Sequence, residues 1–246
     1  MRMRTDRWLT ALGVCSRSEA KVLIRQGRVE VDARPVRDGA ETAETELSTL
    51  RVEGRTVDGR ILRHVMLNKP AGLLTAARDR RQPTVMDLLP PVYGSIGCMP
   101  VGRLDKDTTG LLVLTCDGEL NHRLLSPGRH VDKVYEARVT GRLGETEVRA
   151  FAEGLRLQDF TALPAQLCVL SAEEGESRAR VTVREGKFHQ IKRMFAATGH
   201  EVTALRRLRF GPLELDGSLA EGAWRELTET EVSALREAAG MEISGN

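Results

Sequence analysis

Apolar positions recur with two periods along this chain, and the change from one to the other marks out its elements. Over residues 5–12, Trp8, Leu9, Ala11 and Leu12 gather on one face of a helix, with Gly13 as its stop. Ser16-Arg17-Ser18-Glu19 then has the form of a capping box. The serine hydroxyl accepts from the backbone at Glu19, and the glutamate reaches back to the serine amide. A helix to about Gln26 follows, closed by Gly27 in a left-handed cap, with Ala20, Leu23 and Ile24 on its buried side. Val29 and Val31 alternate with Glu30 and Asp32 as a strand does, and Val36 sits on the returning strand. The connecting turn is Asp32-Ala33; alanine tolerates a left-handed turn poorly, so the sequence leaves the turn type open. Residues 38–60 are polar and acid-rich, with Gly39, Gly54 and Gly59, and read as the end of a small module and a flexible linker.

From Leu62 the texture changes. His64–Lys69 is strand-like and ends at Pro70-Ala71-Gly72. Arg78–Arg81 forms a basic loop, Val85–Leu89 a short helix and Leu111–Thr115 a strand. Glu119–Leu125 is helical, with Leu120, Leu124 and Leu125 on its apolar face. Further strands are expected at 135–139, 163–170 and 178–184, and helices at 145–153 and 190–198. Short strands and helices without regular alternation predict an α+β fold. It consists of a small N-terminal α/β module over residues 1–60 and a larger domain over 61–240. In the larger domain, helices flank a mixed, mainly antiparallel sheet.

A chain of 246 residues accommodates two such domains, and its net charge of +2 says little by itself. The distribution says more: nine basic residues face four acidic ones over 1–37, and nine face two over 178–210. Two basic regions suggest a phosphate-binding surface. On the second helix Arg17, Lys21 and Arg25 recur every four residues, with Arg28 just beyond, which makes a row of cations able to follow a nucleic-acid backbone. Cys15, Cys98, Cys116 and Cys168 have neither metal-ligand spacing nor the look of a disulfide framework, so reduced thiols in a cytoplasmic protein are expected. No apolar run reaches membrane-spanning length, and there is no nucleotide-binding glycine loop and no two-histidine zinc motif.

Candidate chemistry concentrates in Gly102-Arg103-Leu104-Asp105-Lys106-Asp107-Thr108-Thr109-Gly110, ahead of the apolar strand. An aspartate at the mouth of a strand can be held rigidly, as a nucleophile or base requires. Arg103 lies two positions away, on the same side if the segment is extended. Asp107 reads as a turn residue; a glycosidase-like carboxylate pair or a metal clamp made with Asp105 lacks supporting residues. In Glu185–Phe195, Ile191, Met194 and Phe195 share a core-facing helical side, while Lys187, Lys192 and Arg193 project as a basic set. Tyr135, one of two tyrosines, opens a strand and is either a packed sheet residue or a flat wall for a base.

Gly13–Ala20 together with Leu23–Val29 resembles the S4 RNA-binding domain, although that family usually has Asn-Gly where this chain has Asp32-Ala33. Asn68–Gly72, Gly102–Asp105 with Thr108–Gly110, Lys133–Tyr135 and Gly186–Met194 resemble, in order, the motifs of the pseudouridine synthases that couple an S4 domain to a catalytic domain. The resemblance spans about residues 4–235 and implies the pseudouridine synthase fold. It also implies roles: Asp105 as the catalytic aspartate, Lys192 as its basic partner, and Tyr135 as the aromatic stacked on the uracil. Arg103 would fill the space the flipped base leaves, and Ile191 would pack the pocket. The implied activity is isomerisation of uridine to pseudouridine in ribosomal RNA, within the branch acting on uridine 516 of 16S rRNA, and it needs no cofactor and no metal. A 23S rRNA target, or a non-catalytic RNA-binding assembly factor, is the alternative. The expected partner is ribosomal RNA, as a free strand or in a partly assembled small subunit, bound by a monomer away from any membrane.

Overall fold

The computed structural model describes residues 1–129 and 131–241, which divide into two units. The first comprises Met1–Arg63 with Leu89–Met99 and Thr115–Asp117. Two stretches that the sequence assigned to the larger domain therefore pack with the N-terminal module. Helices Thr5–Ala11 and Arg17–Arg25 lie against a four-stranded sheet in the order Arg34–Pro35, Val29–Val31, Leu50–Val52, Arg55–Val57. Trp8, Leu9, Ile24, Val29 and Leu50 form its interior. The capping box is present: the Ser16 amide donates to Glu19 Oε2 at 2.8 Å and the Glu19 amide to Ser16 Oγ at 3.3 Å. Trp8 is fully buried and its indole N–H donates to the Gly59 carbonyl at 2.6 Å. A Cβ on Gly59 would come within 2.4 Å of that ring, so only glycine fits there.

Residues 38–60 do not form the flexible linker expected from their composition. Thr42–Glu44 pairs with Arg2–Arg4, and Leu50–Val52 and Arg55–Val57 form a hairpin whose first strand pairs with Val29–Val31. Three-residue strands carry too few alternations to stand out against an acidic, glycine-containing background. Asp32 and Ala33 both adopt left-handed backbone, with φ of 51° and 61°, as a two-residue primed turn demands.

In the second unit the strand order is Gln166–Ala172, Glu176–Val183, Lys133–Thr140, Val202–Phe210, Thr109–Thr115, His64–Lys69, Trp224–Glu226. Val202–Phe210 runs parallel to Thr109–Thr115 and antiparallel to Lys133–Thr140, so the sheet is mixed and mainly antiparallel, as expected. Gly110 makes the parallel junction possible: its φ is 97°, and a Cβ there would lie 2.3 Å from the Arg207 carbonyl oxygen. Helices Gly118–Leu125 and Glu229–Ala238 cover one part of the sheet through Leu120, Leu124 and Leu235. Leu125, expected on the apolar face, is 45% exposed. No helix among the described residues is long and apolar enough to cross a membrane.

Candidate active site

The aspartate loop is fastened through its backbone. Lys69, the last residue of its strand, has no exposed surface, and its ammonium shares its three N–H groups among four carbonyl oxygens within hydrogen-bond distance: Pro70 at 3.0 Å, Asp105 at 3.2 Å, Lys106 at 3.2 Å and Thr108 at 3.0 Å. Buried Thr75 closes the other end, donating to the Leu104 carbonyl at 2.7 Å and accepting from the Leu104 amide at 3.2 Å. The Thr108 amide donates to the Asp105 carbonyl at 3.1 Å. Burial pushes the Lys69 amine down to about 8, against the pull of Asp107 and Asp105. Two stretches of backbone, at Pro70 and at Asp105–Thr108, thus converge on one buried cation, which leaves the Asp105 side chain a quarter exposed at the mouth of the strand.

Lys192 stands 3.8 Å from Asp105 Oδ2, but its hydrogen bonds go to both oxygens of Asp107, at 2.6 and 2.7 Å. Asp107 lies in a turn, as expected, and in addition holds the lysine. Hydrogen bonding from Lys192 holds the Asp107 carboxyl below the usual carboxylate range. Asp107 therefore aims the lysine, and Asp105 sees its charge without a direct hydrogen bond. The imidazole of His189 approaches from the other side, with Nε2 3.6 Å from Asp105 Oδ1. His189 caps helix Gln190–Ala197 in left-handed conformation, φ 52°, and its ring stacks on Phe188 with centroids 3.7 Å apart. Phe188 itself is 74% exposed.

Arg103, Asp105, Tyr135, Lys187, Ile191 and Lys192 line one cleft, so most of the residues singled out in the second unit meet there. Tyr135 is buried in strand Lys133–Thr140, opposite Val181 on one neighbour and Arg207 on the other. Ile191, the second residue of its helix, is buried, as are Met194 and Phe195 on the same helix. Arg193 does not line the cleft: it is ion-paired with Asp159 and lies 4.9 Å from the Phe160 ring. Lys187 sits 4.0 Å over that same ring and 3.8 Å from Glu185. In the first unit, Arg17, Lys21 and Arg25 are exposed on one helix, and Arg28 is paired with Glu53. Among the described residues no cluster of three or more His, Cys, Asp or Glu side chains is placed to hold a metal ion.

Sequence reasoning gave Lys69, Thr75 and His189 no part in the site. Lys69 carried a legible signal, a lysine ending a strand whose every other residue is buried; Thr75 carried none.

Residues 63–197 match the family model described as RNA pseudouridylate synthase, and residues 3–46 match the S4 domain. A ribosomal small subunit pseudouridine synthase A of Pseudomonas aeruginosa is 41% identical over 239 residues, covering 95% of this chain and all of the relative. An uncharacterized RNA pseudouridine synthase of Bacillus subtilis is 40% identical, over 96% of this chain and 99% of the relative. Among solved structures, a crystal structure of a pseudouridylate synthase aligns with a TM-score of 0.66 at 33% identity, covering 95% of this chain and 99% of the other.

Proposed function

The chain belongs to the RNA pseudouridylate synthase family and carries an S4 domain, and on that premise we propose that it isomerises a uridine of ribosomal RNA, with 16S rRNA, at uridine 516, as the target. In this reading Asp105 supplies the reacting carboxylate, Tyr135 is the wall on which the uracil stacks, and Lys192 is the cation beside the carboxylate. The isomerisation breaks the N1–C1′ bond and joins C5 to C1′; C5 loses a proton and N1 gains one. Atoms and electrons balance within the nucleoside, so the chemistry asks the protein for a placed carboxylate and a way to hold the detached base. The target must leave its stack before Asp105 can reach the sugar, and stacking on Tyr135 offsets part of that cost of a few kcal/mol, roughly. Arg103, on the cleft wall, then occupies the gap the base leaves.

The observation that carries this reading is the backbone fastening of Asp105 in a cleft that also holds Tyr135 and Lys192. A non-catalytic binding module gains nothing from a carboxylate fixed where phosphates pass. The test incubates the wild-type protein and Asp105→Asn with precursor small- and large-subunit rRNA and maps pseudouridine by carbodiimide labelling and primer-extension stops. A stop at one small-subunit uridine with wild-type protein alone is the expected result. A stop in the large-subunit RNA would move the target to 23S rRNA. Equal stops with both proteins would remove Asp105 from the chemistry. Comparing naked RNA with partly assembled small subunits identifies the substrate form, and sedimentation checks the monomer.

A further inference from the structure

A second cavity, of about 330 Å³, borders Tyr135, Arg103 and Lys187 as the Asp105 cleft does, but Asp105 is not among its walls. Its remaining walls bring the cations Lys133, Arg184 and Arg207 together with apolar Leu125, Leu163 and Phe210 and the carboxylate of Glu185. Arg207 lies there only 2% exposed; its Nε donates to the Leu111 carbonyl at 2.7 Å, while its buried Nη2 has no partner. Lys133 lines the same cavity, and its ammonium reaches the Arg184 carbonyl only at 3.4 Å, a long contact for a charged donor. Both cations lean on one ring: Lys133 Nζ is 5.7 Å and the Arg207 guanidinium carbon 5.2 Å from the Phe210 centroid. Burial, and then the charge of Arg207, push the Lys133 amine down to about 8.

The carboxylates close by are already engaged. Glu185 Oε2 accepts from the Leu163 amide at 2.8 Å and from Gln190 Nε2 at 2.9 Å. Asp132 accepts from Arg184 Nε at 3.1 Å and also lies 3.8 Å from Arg209. Two like charges held against one aromatic ring, one of them with a buried N–H unused, is an arrangement whose cost an incoming anion relieves. A planar guanidinium beside a compact ammonium suits a tetrahedral anion with several acceptor oxygens.

We propose that this cavity is a phosphate subsite, which takes the phosphodiester of a nucleotide adjoining the target uridine. The inference rests on the proposed function for its ligand. It adds a reason why a strand, rather than an isolated base, is held in register with Asp105: the two cavities share walls, so a phosphate in one fixes the approach of a base to the other.

The test pairs Lys133→Met with synthetic RNAs spanning the target, in which one phosphodiester at a time beside the uridine is replaced by an uncharged methylphosphonate. Affinity is read by fluorescence anisotropy. Neutralising one linkage is expected to weaken wild-type binding about tenfold, and Lys133→Met to weaken binding of the unmodified RNA by a similar factor. The same linkage change should then cost Lys133→Met less than about twofold, the signature of a direct contact. Additive losses at every linkage, or no sensitive linkage, would overturn the proposal. So would a rise in wild-type melting temperature with inorganic phosphate that requires Lys133 while no linkage couples, which would make this a site for a free anion. Lys133→Gln serves if the methionine variant does not fold. Isomerisation of the unmodified RNA is scored in parallel. Intact turnover without coupling refutes the subsite alone, and coupling without turnover refutes the functional reading alone.

Discussion

Lys69 and Asp107 act on Asp105 in different ways, and substitution separates them. Lys69 is the buried ammonium on which the aspartate loop turns. Replacing it with Met leaves several carbonyl oxygens without a donor, and about 2–4 kcal/mol of stability should be lost at neutral pH, measured by urea unfolding. Its titration adds a signed test. The folded amine has a pKa of about 8 against an ordinary 10.5. Below pH 8 the amine is charged in both states, and the desolvation penalty is present in full. Between about 8 and 10.5 the folded state releases a proton that the unfolded chain keeps, so this group's contribution to stability rises with pH. Wild-type stability relative to Lys69→Met should climb over that window; parallel pH profiles would show that Lys69 does not titrate there. Asp107→Asn, by contrast, leaves the loop in place and loosens Lys192. An approximately tenfold fall in turnover with RNA affinity retained is expected, read as a split between kcat and binding. Asp105, Tyr135 and Lys192 were singled out in the sequence by separate ordered motifs, and the fold brings the three to one cleft. The tether between Asp107 and Lys192 was not legible there, since it joins residues 85 positions apart and no local pattern encodes such a contact.

At the scale of elements, legibility followed length. His64–Lys69 and Leu111–Thr115 were read as strands from the apolar runs Val65–Leu67 and Leu111–Leu114 within them; the capping box at Ser16 announced its helix through side-chain chemistry alone. The strands at Thr42–Glu44, Leu50–Val52 and Arg55–Val57 were lost among acidic residues, because three positions do not distinguish alternation from chance. The Asp32-Ala33 turn shows the opposite case, in which the sequence resisted a geometry that the fold imposes. An alanine at φ 61° carries a steric cost that glycine does not. Ala33→Gly should therefore stabilise the first unit by about 1 kcal/mol, visible as a higher urea midpoint at unchanged slope. At Gly110 the sign reverses: Gly110→Ala would drive a methyl into the Arg207 carbonyl and should cost several kcal/mol, roughly, and disturb the strand that presents Asp105.

On the scale of the whole molecule, charge is distributed so that near-neutrality overall conceals local cationic surfaces. Arg17, Lys21 and Arg25 are exposed together on one helix face of the first unit. Their replacement by Ala should weaken RNA binding and flatten the dependence of log affinity on log salt by about two to three units. An unchanged slope would remove that face from the interface. The sequence changes texture near residue 62, and the N-terminal stretch of the first unit runs to Arg63. The return of Leu89–Met99 and Thr115–Asp117 to that unit leaves no local signal, because such excursions depend on tertiary packing. The indole of Trp8, sealed against Gly59, has a companion in the second unit, Trp224, and the chain contains no other tryptophan. Each half of the protein therefore carries its own fluorophore. In Trp224→Phe the emission spectrum would follow the melting of the N-terminal half alone, shifting from blue to red as the indole meets water. The order in which the two halves come apart can be recorded in a cuvette without attaching a dye.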